Sequence, residues 1–152
     1  MGHLSRTIHV DSTPEQAFDL FTNLERRPEW HLPADIRVKD VTGPLDAVGA
    51  GYTVVSTLDG RRLEISWRVV GYDPPRLIEM KSTGSMTMTV FAHFEPAAGG
   101  TDVTLEGECE RPLEFMGGAT EQRFFEKAML RDCEQSLANF KAIVEATVPV
   151  AV

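Results

Sequence analysis

The side chains that most often carry nucleophilic chemistry are few in this sequence and lie far apart. It contains four histidines and two cysteines in 152 residues, and the histidines stand at positions 3, 9, 31 and 93. A catalytic triad needs a serine or cysteine near a histidine that a carboxylate orients. No stretch of the chain offers that local arrangement, so the sequence argues against triad chemistry.

The cysteines, Cys109 and Cys133, show no metal-binding pattern. Neither belongs to a C-x-x-C or histidine-rich spacing, and two cysteines do not make a disulfide framework. Cys133 falls within an apolar helical stripe, where a thiol packs as a small apolar side chain unless its pKa is lowered. We therefore expect reduced, buried thiols, no metal site and no cofactor.

A row of acidic residues at a spacing of two, Glu106, Glu108 and Glu110, could supply a pair of carboxylates for acid–base chemistry. Their alternates are apolar or small, and successive side chains of a strand point to opposite faces of the sheet. The pattern therefore places Leu105 inward and the glutamates in water. By the same rule His93 points outward, and we do not expect it to act as a base.

Composition describes an ordinary globular protein with an acidic surface. The chain is 42% hydrophobic and 25% charged, and 15 basic against 23 acidic residues give a net charge of −8. At roughly 150 residues per domain, residues 1–152 form one domain. The negative charge argues against nucleic acid and anionic membranes as partners. No apolar run approaches the roughly 18 residues of a spanning helix, so we expect no membrane insertion and a cytoplasmic location.

Hydrophobic periodicity and turn residues predict the order of the elements. Apolar positions three and four apart predict a helix over 14–23 and a long one over 118–146. The segment 27–33 contains two prolines around an exposed-type aromatic pair, Trp30 and His31, and allows at most one short second helix. Asp59-Gly60 predicts a two-residue hairpin, so antiparallel pairing is expected. The predicted strands cover 5–10, 36–41, 51–58, 62–72, 76–82, 86–94 and 102–110.

In this order the sequence resembles the START-like (SRPBCC) superfamily, in particular its polyketide cyclase/dehydrase and lipid-transport branch. The resemblance covers the whole chain and rests on IHVDSTPEQAF at 8–18, Trp30, WRVVGYDPPRL at 67–77, FEP at 94–96, GTDVT at 100–104, LANFK at 137–141 and Glu145. It implies an α+β helix-grip fold, also called START-like or Bet v 1-like. In that fold a curved seven-stranded antiparallel sheet surrounds a long C-terminal helix, two short helices follow the first strand, and a hydrophobic cavity lies between sheet and helix.

The resemblance and the inward faces together suggest which residues meet a ligand. A curved sheet and a straight helix diverge along their length, and flexible methionines leave the space between them adaptable. His31 would lie at one end of the cavity, Tyr52 and Ser56 would contribute if their strand turns that face inward, and the segment 111–118 would act as a lid or as a plug. The candidate ligand-binding residues are His31, Tyr52, Trp67, Met86, Met88, Leu105, Phe115, Phe125, Met129 and Cys133.

Three functions fit this sequence. The first is binding or transport of a small hydrophobic ligand, such as a lipid, isoprenoid, quinone or polyketide-like aromatic, by a monomer or homodimer. The second is a polyketide cyclase, aromatase or dehydratase, with His31 or Tyr52 as general acid or base. The third is a protein-interaction module. The resemblance implies that such cyclases use an arginine or tyrosine in the pocket, and because the sequence shows no obvious buried arginine, binding is favoured.

Overall fold

A seven-stranded antiparallel sheet with strand order β1-β7-β6-β5-β4-β3-β2 forms most of the structure. The computed structural model describes residues 3–31, 36–58, 60–111 and 119–146. The strands are β1 (His3–Val10), β2 (Arg37–Lys39), β3 (Gly51–Leu58), β4 (Arg61–Asp73), β5 (Leu77–Gly84), β6 (Thr87–Ala97) and β7 (Gly100–Arg111). The helices are α1 (Pro14–Thr22) and α2 (Ala119–Ala146). This confirms the predicted helix-grip architecture.

Helix α1 begins at a capping box that the sequence encodes locally. The Thr13 hydroxyl accepts a hydrogen bond from the Gln16 backbone N–H at 3.2 Å, and the Gln16 side chain accepts one from the Thr13 N–H at 3.0 Å. Pro14 occupies the first turn, where a missing N–H costs nothing. The helix buries Phe18 and Phe21 against the sheet and α2.

The second short helix that the resemblance implies is a single 3-10 turn over Arg27–Glu29, which agrees with the two prolines of this segment. Pro28 lies inside this turn and has no N–H to extend a helical ladder. The backbone leaves the helical region at Trp30, with φ −128° and ψ −27°. Trp30 was expected on the surface, yet its side chain is only 2% exposed. Its ring stands edge-on to Phe140 of α2 at 5.1 Å between centroids.

The predicted hairpins are present where consecutive strands pair. Strands β3 and β4 pair in register from Gly51 opposite Arg68 to Leu58 opposite Arg61, which leaves a two-residue connection. Gly60 in that connection has φ +76°, the conformation that the primed turns require. Its neighbour Asp59 lies outside the described residues.

Helix α2 is buried to different depths along its length. Leu137, Phe140 and Val144 in its C-terminal half are at most 4% exposed. Met129 and Cys133 on the same stripe are half-buried. The difference arises because the C-terminal half packs into the aromatic core, whereas the stripe further toward the N-terminus faces a cavity.

Candidate functional site

A cavity of about 200 Å³ lies between the concave face of the sheet and α2. Its walls are mainly aliphatic and aromatic, with a small number of polar groups among them. The apolar lining residues are Leu4, Phe21, Val54, Leu63, Ile65, Trp67, Met80, Met86, Met88, Val90, Leu105 and Met129. The polar and small ones are Arg27, His31, Tyr52, Ser56, Glu106, Gly107, Asp132, Cys133 and Ser136. A concave, mostly apolar space with few polar groups is typical of small-molecule sites.

Most of the predicted ligand-binding residues come together around this one cavity. The residues that line it are His31, Tyr52, Trp67, Met86, Met88, Leu105, Met129 and Cys133. Phe115 and the segment 112–118, with its proposed lid, lie outside the described residues, and so does the side chain of Phe125. Contact with a ligand stays a prediction for all of the candidate ligand-binding residues.

Two paired strands build one wall by simple alternation. Strand β3 turns Tyr52, Val54 and Ser56 inward, which resolves the orientation that its mixed pattern left open. The register sets Tyr52 opposite Trp67, and Val54 and Ser56 also face cavity-lining residues of β4. Side chains directly opposite on one face stand about 5 Å apart, so the wall is continuous.

A buried serine fixes the part of the cavity wall formed by Met86 and Met88, called here the methionine wall. The Ser82 hydroxyl donates to the carbonyl oxygen of Met86 at 3.0 Å and accepts from the N–H of Met88 at 2.9 Å. This pins the connection between β5 and β6, so that both methionines border the cavity beside Gly107. Their unbranched side chains can adapt to ligands of different shape.

Arg27 is a cavity-lining residue that the sequence did not predict, and it corrects the expectation that no arginine is buried. The side chain is 3% exposed and lines the cavity. Its Nη2 donates to the carbonyl oxygen of Phe21 at 2.6 Å. The guanidinium carbon lies 4.8 Å from the ring centroid of Phe21, 4.8 Å from that of Trp30 and 5.5 Å from that of Tyr52.

The 3-10 turn explains why one of two neighbouring arginines is exposed and the other is buried. Arg26 stays at the surface and pairs with Glu29 three residues on, at 2.9 Å. Arg27, one position later, points into the core. No sequence signal separates the two, because arginine is almost never fully buried and both fit a solvated turn equally well.

The Arg27 guanidinium carries unused hydrogen-bonding capacity. Its Nε is buried and meets no acceptor among the described residues, and the same holds for Nε1 of Trp30. Within that part of the chain no carboxylate lies within ion-pair distance of Arg27. A guanidinium has five N–H donors. The carbonyl oxygen of Phe21, the hydroxyl of Tyr52 and the three aromatic faces satisfy only part of them, since Nε has no acceptor in the described part of the chain.

Burial favours the neutral form of three titratable side chains along the lining, Tyr52, Asp132 and Cys133. Burial raises the pKa of Tyr52, although the charge of Arg27 opposes that rise, so the phenol remains a donor at neutral pH. Burial also raises the pKa of the Cys133 thiol and of the Asp132 carboxyl. Cys133 is half-buried and is therefore a cavity-wall residue instead of the core thiol that the helical stripe predicted.

His93 on β6 points toward solvent, as the alternation predicted. Nε2 of His93 lies 3.8 Å from Oε1 of Glu106, and both side chains are at least 33% exposed. Glu106 nevertheless also borders the cavity, which the alternation did not predict.

The described residues contain no group of three histidine, cysteine or acidic side chains that could hold a metal ion. In the same part of the chain no helix is long and apolar enough to cross a bilayer.

Comparison with known families gives one match over nearly the whole chain. The model of the family described as polyketide cyclase/dehydrase and lipid transport matches residues 1–145. No curated protein sequence matches the chain significantly.

Solved structures share the fold at low sequence identity. The protein TTHA0849 from Thermus thermophilus superposes with a TM-score of 0.80 at 18% identity, covering 97% of this chain and 100% of that one. Protein NE0264 from Nitrosomonas europaea gives 0.73 at 12% identity, with 96% of each chain covered. Ara h 8.0201 gives 0.72 at 10% identity, covering 96% of this chain and 99% of the other. At such identities the likeness shows the helix-grip fold alone.

Proposed function

Because the chain belongs to the polyketide cyclase/dehydrase and lipid transport family, we propose that it binds a small hydrophobic ligand in the cavity between the sheet and α2. Family and fold support a hydrophobic ligand-binding domain. Lipids, isoprenoids, quinones and polyketide-like aromatics are the candidate ligands. The single domain, the cytoplasmic location and the monomeric or homodimeric state remain predictions from the sequence.

The observation that carries this proposal is the concave, mainly apolar lining of the cavity. Burying apolar ligand surface contributes about 25 cal/mol per Å², and a few polar groups then orient the ligand. An apolar cavity of about 150 Å³ is known to hold benzene. At about 200 Å³ this cavity suits a body of one or two aromatic rings or a short branched chain.

Filling the cavity tests this proposal directly. A Cβ added at Gly107 would lie 3.8 Å from the Met88 and Val90 side chains, an ordinary contact, so Gly107→Val should fold and project into the cavity. Binding of the neutral dye N-phenyl-1-naphthylamine, followed by fluorescence titration, should saturate at one equivalent and weaken at least tenfold in this variant. Thr104→Val puts the same side chain on the opposite face of β7 and should leave the affinity unchanged. Absence of saturable binding, or equal binding by Gly107→Val, would contradict the proposal.

A cyclase or dehydratase activity is the second candidate, and the Arg27–Tyr52 contact favours it. Both groups line the cavity, with the guanidinium carbon 5.5 Å from the Tyr52 ring centroid. Arg27 could stabilise an enolate oxygen while the Tyr52 phenol donates a proton to a carbonyl oxygen, as general acid catalysis requires. Turnover of a poly-β-ketone thioester, detected by mass spectrometry and abolished in Tyr52→Phe with ligand binding retained, would establish the enzyme. No turnover with tight binding would leave the binding protein.

A further inference from the structure

The buried Arg27 is a positive charge for which the described part of the chain supplies no negative partner. The residue is 3% exposed, and its Nη2 donates to a neutral carbonyl oxygen. Taking an ion out of water costs several kcal/mol unless hydrogen bonds and an opposite charge compensate. The faces of three aromatic rings offset part of this cost. An anion that entered the cavity would supply Arg27 with the opposite charge and the hydrogen-bond acceptors that the described residues do not provide.

The positions of the charged groups indicate at which end an anion fits. The 3-10 turn that carries Arg27 lies beside the 139–140 region of α2, because Asn139 donates to the carbonyl oxygen of Trp30 at 3.3 Å. Asp132, the carboxyl that α2 contributes to the lining, precedes Asn139 by seven residues, or about 10 Å of helix. An anion at the Arg27 end therefore avoids the negative charge of Asp132. The other carboxylate of the lining, Glu106, belongs to β7, which three strands separate from β3, the strand that carries Tyr52.

The group that Arg27 binds must belong to a largely apolar molecule. Beyond Arg27 and Tyr52 the walls consist mostly of methionine, leucine, valine and tryptophan side chains, against which a small inorganic anion buries nothing. A planar guanidinium matches a carboxylate particularly well, since two N–H groups can point at its two oxygens. The Tyr52 phenol lies beside the guanidinium and offers one more donor.

We propose that the ligand is an amphipathic carboxylic acid, bound as the anion, with its carboxylate on Arg27 and its apolar body of one or two rings along the methionine wall. This inference rests on the proposed function and names its ligand class. Neutral quinones and isoprenoid alcohols are then secondary ligands. The acidic surface, with a net charge of −8, does not attract such anions from a distance, so affinity comes from the buried contact.

A pair of isosteric probes tests the charge without altering the protein. 2-Naphthoate and 2-naphthalenemethanol have the same ring system and differ in the carboxylate. Calorimetric titration of the wild-type protein at pH 7.5 should show the carboxylate binding about 10- to 100-fold more tightly, the range for hydrogen bonds to a charged group. Equal affinities, or tighter binding of the alcohol, would overturn the inference and leave the proposed function intact. If neither probe binds, the proposed function fails as well.

Two arginine variants show which residue causes the preference for the carboxylate. In Arg27→Gln the affinity for 2-naphthoate should fall to within about threefold of the affinity for 2-naphthalenemethanol, while the affinity for the alcohol changes little. Arg26→Gln, in the same turn but at the surface, should keep the full preference. Raising the salt from 50 to 500 mM should leave the preference largely intact because a buried pair is poorly screened. A preference that disappears with salt, or that survives in folded Arg27→Gln, would place the carboxylate on surface cations and refute the assignment. If Arg27→Gln does not fold, the wild-type probe pair and its salt dependence decide.

Discussion

Replacing Phe140 by alanine is expected to remove most of the anchoring between α2 and the aromatic core. The side chain is 1% exposed, so its ring is fully withdrawn from water in the folded protein. The centroid lies 5.1 Å from that of Trp30 and 6.4 Å from that of Phe21, both in edge-on arrangements. Helix α2 closes one side of the cavity, so this contact also positions the site.

The expected cost follows from burial and from the ring contacts. Truncation of a buried phenylalanine costs about 3–5 kcal/mol, which includes the transfer free energy and the space left behind. Each aromatic pair contributes about 0.5–1.5 kcal/mol of favourable geometry beyond the buried area. For a domain of this size each kcal/mol corresponds to about 2–4 °C, so the melting temperature should fall by roughly 6–20 °C.

Urea denaturation followed by circular dichroism at 222 nm measures this change without relying on tryptophan, whose emission the mutation would alter directly. The midpoint should fall while the slope stays the same, which is the signature of lost stability with an unchanged folded state. Phe91→Ala is the matched control, since it deletes the same side chain from the outer face of β6, where Phe91 is half-buried beside His93 at 6.2 Å. We expect it to cost about 1 kcal/mol.

A loss below about 1 kcal/mol in Phe140→Ala, or a loss equal to that of Phe91→Ala, would refute the reasoning. Either result would mean that α2 is held to the sheet by contacts other than the Phe140 ring.

Two further predictions concern charge and metals. Glu145 accepts from Lys141 Nζ at 2.6 Å and from the backbone N–H of Asp11 at 2.8 Å, and these bonds hold its pKa below the usual 4.5. A carboxyl pKa that is lower in the folded than in the unfolded protein stabilises the fold at pH values above the unfolded pKa. This stabilisation is lost as the pH falls through the folded pKa. Glu145→Gln should thus lower the free energy of unfolding by about 1 kcal/mol at pH 7, and the difference from wild type should shrink below pH 4.5. The control Glu134→Gln should lower it by less. A difference in urea midpoint that does not depend on pH would contradict this. Added chelator should change neither the melting temperature nor dye binding, and a stoichiometric metal found by elemental analysis would overturn that expectation.

The order and type of the elements could be predicted from the sequence because they depend on neighbouring residues. The strand predicted over 51–58 coincides with β3, and the helix predicted over 118–146 differs from α2 by one residue. Periods of two and of about 3.6 residues express which face of an element is apolar, and turn glycines mark where pairing reverses. The same periodicity placed Trp67 and Leu105 on the cavity side.

The polar part of the site was decided by tertiary packing. Arg27 is buried because Phe21, Trp30 and Tyr52 converge on it, and Tyr52 comes from a strand 25 positions further along the chain. Local pattern assigns an arginine in a proline-containing turn to solvent, and nothing within a few residues of Arg27 contradicts that assignment. Burial of a charge depends on which distant aromatic faces and carbonyl oxygens surround it, and only the folded chain brings those groups together.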